Sequence, residues 1–134
     1  MNTPVTTKVF LAISGIILIG IGGALMFIPV AFQASVGIAL GDNINLLSET
    51  RAPGGFLFAA GIIILTGSFR AKMVHTSLVL SSLVYLSYGI SRILSIVMDG
   101  VPDQSLIAAT AVEIIIGAPG LFLLYKFHKA RAMA

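Results

Sequence analysis

Four apolar runs, at about residues 9–28, 53–69, 74–97 and 105–125, leave this chain few ways to fold. Crossing a hydrocarbon core takes about 20 mainly apolar residues in a helix, and lipid offers no partner to an unpaired main-chain amide or carbonyl. The expected fold is therefore all-α, a four-helix transmembrane bundle, with residues 1–134 forming a single integral membrane domain. Composition excludes a soluble alternative: 10% of the 134 residues are charged and the mean hydropathy is +1.06, whereas a soluble domain carries about 25% charged residues.

The first run lies behind Lys8 and is longer than the apolar part of a signal peptide, with no small-residue cleavage site after it, so it is read as a retained helix. Pro29 closes it. Residues 30–52 are less apolar, with Gln33, Asp42, Asn43, Asn45, Glu49 and Arg51, and residues 30–40 suit a short helix lying at the interface. Pro53 fits the first turn of a second helix, or a kink in one that begins near Ser48. Asp99-Gly100-Val101-Pro102-Asp103 has the chemistry of a tight reversal between the last two spans.

Lysine and arginine favour the cytoplasmic side of a membrane. Placing both termini there gathers Lys8, Arg70, Lys72, Lys126, Lys129 and Arg131 on one side and leaves Asp42, Asp99 and Asp103 on the other. Lys126, Lys129 and Arg131 are expected to lie among anionic headgroups. Two arginines, Arg51 and Arg92, fall on the acidic side.

Arg92 is well inside the third span and Glu113 well inside the fourth. A charge at the centre of a bilayer costs about 2.5–3.5 kcal/mol on insertion scales, so each needs a partner or a polar cavity. Residues three, four and seven apart share a helix face, which aligns Ser81, Tyr85, Tyr88, Arg92, Ser95 and Asp99. At about 1.5 Å per residue, Arg92 lies roughly 10 Å below Asp99 and Glu113 roughly 12 Å below Ser105. The depths match. Two readings stay open: a buried ion pair that only fixes helix packing, or a ligand-binding pocket open to the outer face and lined by Glu49, Arg51, Tyr85, Tyr88, Arg92 and Glu113, with a cleft between the second, third and fourth spans.

Other chemistry is thin. There is no cysteine, which removes disulfides and thiolate metal sites. His75 and His128 fall near the basic surface without ligands at metal spacing, so neither a metal nor a cofactor is expected. The run Gly15, Gly20, Gly22 and Gly23 lacks the Lys-Ser/Thr of a phosphate loop and lies inside an apolar helix, so it and Gly54, Gly55, Ala59, Ala60 and Gly61 are read as helix-packing positions. Basic residues at span ends and in short loops do not form a nucleic-acid surface.

The stretch Asn45-Leu46-Leu47-Ser48-Glu49-Thr50-Arg51-Ala52-Pro53-Gly54-Gly55, with Leu83-Val84-Tyr85-Leu86-Ser87-Tyr88-Gly89-Ile90-Ser91-Arg92, Asp99-Gly100 and Glu113, resembles a bacterial family known as domain-of-unknown-function family 4345. Glu-x-Arg before Gly-Gly is the most specific element. The layout is also distantly similar to DoxX-like four-helix membrane proteins, some of which serve as subunits of quinone-linked oxidoreductases. The resemblance implies a bacterial inner-membrane location.

The expected function is that of a small polytopic inner-membrane protein that binds a small amphipathic ligand, lipid or quinone-like, or acts as a subunit of a membrane complex with another membrane protein or further copies of itself. Two rivals remain. A proton-coupled transporter would use Glu113 as its titrating carboxylate, against which the pairing with Arg92 argues. A lipid- or quinone-linked enzyme would have only Tyr85, Tyr88 and Glu113 as reactive groups, and no catalytic residue is assigned.

Overall fold

The computed structural model describes residues 3–133 and contains four long helices, α1 (Val5–Phe27), α3 (Ile44–Phe69), α4 (Val74–Asp99) and α5 (Gln104–Ala132), with a short helix α2 (Pro29–Ala34) after the first. All four long helices have the length and apolar composition to cross a membrane. The chain is a multi-pass membrane protein with a four-helix bundle fold.

Three boundaries depart from the sequence reading. α3 begins at Ile44, nine residues before Pro53, because Asn43 caps it: its side-chain oxygen accepts from the Asn45 and Leu46 amides at 3.0 and 3.2 Å. Polar residues interrupt the apolar run here without interrupting the helix. Pro53 is thus interior, and it removes the main-chain donor that the Glu49 carbonyl would otherwise meet one turn on. The interfacial helix is also shorter than residues 30–40, and α5 continues past residue 125 to Ala132.

The reversal between α4 and α5 forms as its residues dictate. Gly100 ends α4 at φ +102°, a value that disfavours any side chain. Asp103 opens α5 by accepting from the Ser105 amide at 2.9 Å, a bond that holds its carboxyl below the ordinary aspartate range. The contribution of this cap is complete at neutral pH and is lost as pH falls through that depressed value.

Two antiparallel pairs make the bundle, α1 with α3 and α4 with α5, joined side by side through α3 and α4. The first pair is held by glycine. Gly15 and Gly22 on α1, and Gly54 and Gly61 on α3, lie two turns apart on facing sides. A Cβ at Gly15 would sit 2.9 Å from the Gly61 carbonyl oxygen, one at Gly61 2.8 Å from that of Gly15, and one at Gly22 2.7 Å from that of Gly54. Backbone thus meets backbone, the arrangement that dispersion forces favour where lipid removes the hydrophobic drive. Gly20 is different, with nothing near its Cβ position. Around this seam lie Leu11, Leu18, Leu57 and Ile64, all buried.

α4 carries its buried face at the same spacing, with Val74, Leu78, Ser81 and Tyr85. α5 meets it through Gly117 against Leu86 and Gly120 against the Ser82 hydroxyl. Each step up α4 is matched by one down α5, from His75 facing His128 at the basic end to Arg92 facing Glu113.

The glycine seam makes a prediction with an unusual sign. Alanine is worth about 1 kcal/mol more than glycine in a helix on propensity alone. Gly22→Ala and Gly61→Ala should nonetheless lower the thermal unfolding temperature in detergent, with overpacking costing about 1–3 kcal/mol, while Gly20→Ala should hold or raise it.

Candidate functional site

The polar cluster is built from the two helices that the Gly100 turn holds in register. The Arg92 guanidinium donates through Nε to both carboxylate oxygens of Glu113, at 3.0 and 3.1 Å. Its side chain keeps 34% of its surface exposed and that of Glu113 14%. Among the described residues this is the only ion pair between side chains. A guanidinium has five N–H donors, and among the described residues only Nε finds a partner, which leaves the four on the two terminal amino groups without one.

Tyr85 lies deeper. Its hydroxyl donates to the Ser14 carbonyl of α1 at 2.7 Å, and the ring is buried. Tyr88, one turn nearer Arg92, is half-buried, and among the described residues nothing hydrogen-bonds its hydroxyl. Asp99 accepts from the Ser95 hydroxyl at 3.0 Å and takes no part in the Arg92 pair.

Tyr85, Tyr88, Arg92 and Glu113 border one cavity of about 410 Å³, within the range of about 300–1,000 Å³ typical of small-molecule sites. Its walls come from all four spans. Leu18 of α1, Leu57 of α3, Val84 of α4 and Val112 of α5 supply apolar surface, and Glu49, Tyr85, Tyr88, Arg92 and Glu113 supply polar groups. Glu49, at the edge of this lining, is exposed.

Five of the six residues singled out in the sequence therefore meet around this space. Arg51 does not. It is exposed and donates from a terminal amino group to the Met26 carbonyl of α1. Met26 lies in the last turn of α1, where carbonyls have no helical partner and the helix dipole favours a cation, which explains why Arg51 turns away from Glu49.

The cleft expected between the second, third and fourth spans has two further walls. α1 closes one side, and Phe32 and Gln33 of α2 with Val36 beyond it cover another. The α1 residues could not be picked out in advance, since Ile17, Leu18 and Ile21 read the same whether they face lipid or a cavity. Gln33 could have been: it is a polar residue in an otherwise apolar six-residue helix.

At the opposite end, His75 and His128 place their Nε2 atoms 3.2 Å apart. The sequence put both near one surface but did not pair them, because 53 residues separate them. No group of three or more metal-ligating side chains occurs among the described residues.

Fold and cavity together define a small multi-pass membrane protein whose Arg92–Glu113 pair borders a space between its helices. The chain belongs to the family described as Domain of unknown function (DUF4345), whose sequence profile matches residues 6–124. No curated protein and no solved structure matches it.

The Arg92–Glu113 pair makes a quantitative expectation. Leaving one charge of a desolvated pair alone costs about 3–5 kcal/mol. Arg92→Leu and Glu113→Leu should each destabilise the protein in detergent, and the double substitution should fall short of their sum by about 0.5–3 kcal/mol. Additive losses in thermal unfolding would show that the two residues are not coupled.

Proposed function

We propose that this protein binds a small amphipathic molecule in the cavity between its spans. The polar head meets Arg92 and Tyr88, and the apolar part runs along Leu18, Leu57 and Val84. One observation carries the reading. The Arg92 terminal amino groups, the Tyr88 hydroxyl, the Gln33 amide and the Glu49 carboxylate border a single cavity, yet none has a hydrogen-bond partner among the described residues. An ion pair that served only as a brace needs no such space, whereas side chains that keep donors and acceptors beside a largely apolar cavity have what a bound molecule requires.

The donors of Arg92 and Tyr88 suit a head with acceptor oxygens, such as a carboxylate or a carbonyl. Glu113 neutralises Arg92 and holds the guanidinium in place, so the ligand meets a positioned donor array with little net charge. Lipids and quinones have such heads.

A diazirine-bearing fatty acid photolysed with the protein in nanodiscs tests this. Label should concentrate on peptides containing Leu57 and Val84. Arg92→Gln and Ala109→Leu should lower it about tenfold, the first by removing donors and the second by filling space beside a wall residue. Label spread evenly over the lipid-facing surface, unchanged by either substitution, would sink the proposal.

On the same reading the protein lies in a bacterial inner membrane, as the family resemblance implies, and the lysine and arginine asymmetry favours both termini cytoplasmic and the cavity in the outer half. Cysteines introduced at Lys72 and Lys129 should then be shielded from an impermeant thiol reagent in intact cells, while one at Gly100 should react. The opposite pattern would turn the cavity to the cytoplasm.

A further inference from the structure

The basic end of the bundle borders a second, open-sided space, of about 1040 Å³, between the start of α1, the turn at residues 71–73 and the end of α5. Four cations border it: Lys72, Lys126, Lys129 and Arg131. The chain's five acidic side chains, at Asp42, Glu49, Asp99, Asp103 and Glu113, all lie in the other half of the bundle, so none can neutralise them.

This is more than a solvated basic tail. The Lys126 amine sits 4.8 Å over the Phe122 ring and the Arg131 guanidinium 5.8 Å over that of Phe127, contacts that restrain both side chains. The His75–His128 contact fastens this part of α5 to the first turn of α4. Across the space, Thr6 and Thr7 of α1 offer hydroxyl donors. Like charges held together without a counter-charge repel one another, and an anion from outside relieves that repulsion.

We infer that this space binds the phosphate headgroup of an anionic lipid. The ligand chemistry is a phosphate oxyanion, for which Lys and Arg are the usual partners. Leu123 and Phe127 wall the same space, so the occupant has an apolar part as well, which favours a lipid over free phosphate. The site is separate from the outer cavity and does not depend on what that cavity holds.

Each basic residue near an anionic surface is worth about a fivefold gain in affinity. Native mass spectrometry of protein released from equimolar phosphatidylglycerol and phosphatidylcholine should therefore show phosphatidylglycerol retained at least about tenfold more often. Replacing Lys72, Lys126, Lys129 and Arg131 together by glutamine should bring the ratio close to one. Lys8→Gln, which removes a charge from the same end but not from this space, should leave it unchanged. Lys126→Arg with Lys129→Arg should keep the preference, which separates loss of charge from loss of fold. Equal retention of the two lipids by the unaltered protein overturns the inference. So does a preference that survives the fourfold substitution, or one that falls as far with Lys8→Gln. Complete displacement of the lipid by millimolar inorganic phosphate would overturn the lipid assignment in favour of a soluble phosphate.

Discussion

The contact between the backbones of α1 and α3 is the constraint from which the rest follows. In lipid no hydrophobic gain draws helices together, so association rests on how many atoms come into contact and how closely. Four glycines, Gly15, Gly22, Gly54 and Gly61, let two main chains touch. That contact makes the first pair a firm surface. Against it α4 presents Leu78, Val84 and Tyr85, and α5 joins mainly through α4. The ends of α1 and α3 nearest the acidic loops carry Leu25, Glu49 and Pro53, and the cavity lies where these ends and the second pair leave space.

This arrangement gives the ion pair its character. Arg92 and Glu113 are held by helices that the turn at Gly100 and Asp103 fixes in register, so the geometry of the pair is set by the backbone. Glu113 uses its two oxygens on one nitrogen of Arg92 and leaves the others unspent. A pair satisfied on every side would be inert. One that borders a cavity with donors to spare can contribute to recognition while remaining electrically balanced.

Much of this was legible in the chain. The four spans are visible because apolar runs of that length have no other stable use, and the matched depth of Arg92 and Glu113 follows from counting residues back from one turn. The start of α3 was harder to see. Asn45, Ser48, Glu49 and Arg51 look like loop residues until Asn43 is recognised as a cap. Sequence alone sets Arg51 beside Glu49 as a near neighbour, whereas the carbonyls ending α1 compete for its guanidinium. Among the glycines, Gly20, Gly23 and Gly55 resemble Gly15 and Gly22 in sequence, and only helix phase tells which of them face a neighbour. Side chains of α1 on the cavity carry no mark at all, since lipid and an apolar wall ask for the same residues.

The two pairs of helices are also tied by polar bonds of a particular kind. Tyr85 donates to the Ser14 carbonyl and Ser77 to the Ile63 carbonyl at 2.9 Å, so in both cases α4 supplies the side chain and the first pair only its main chain. A carbonyl is present whatever residue stands at that position. The acceptor side of this joint is therefore indifferent to mutation at residues 14 and 63 so long as the helices keep their course, while the donor side is not. Sequence drift is tolerated asymmetrically: any residue that fits the space at positions 14 and 63 supplies the same acceptor to α4, whereas α4 has to preserve the hydroxyls at 77 and 85.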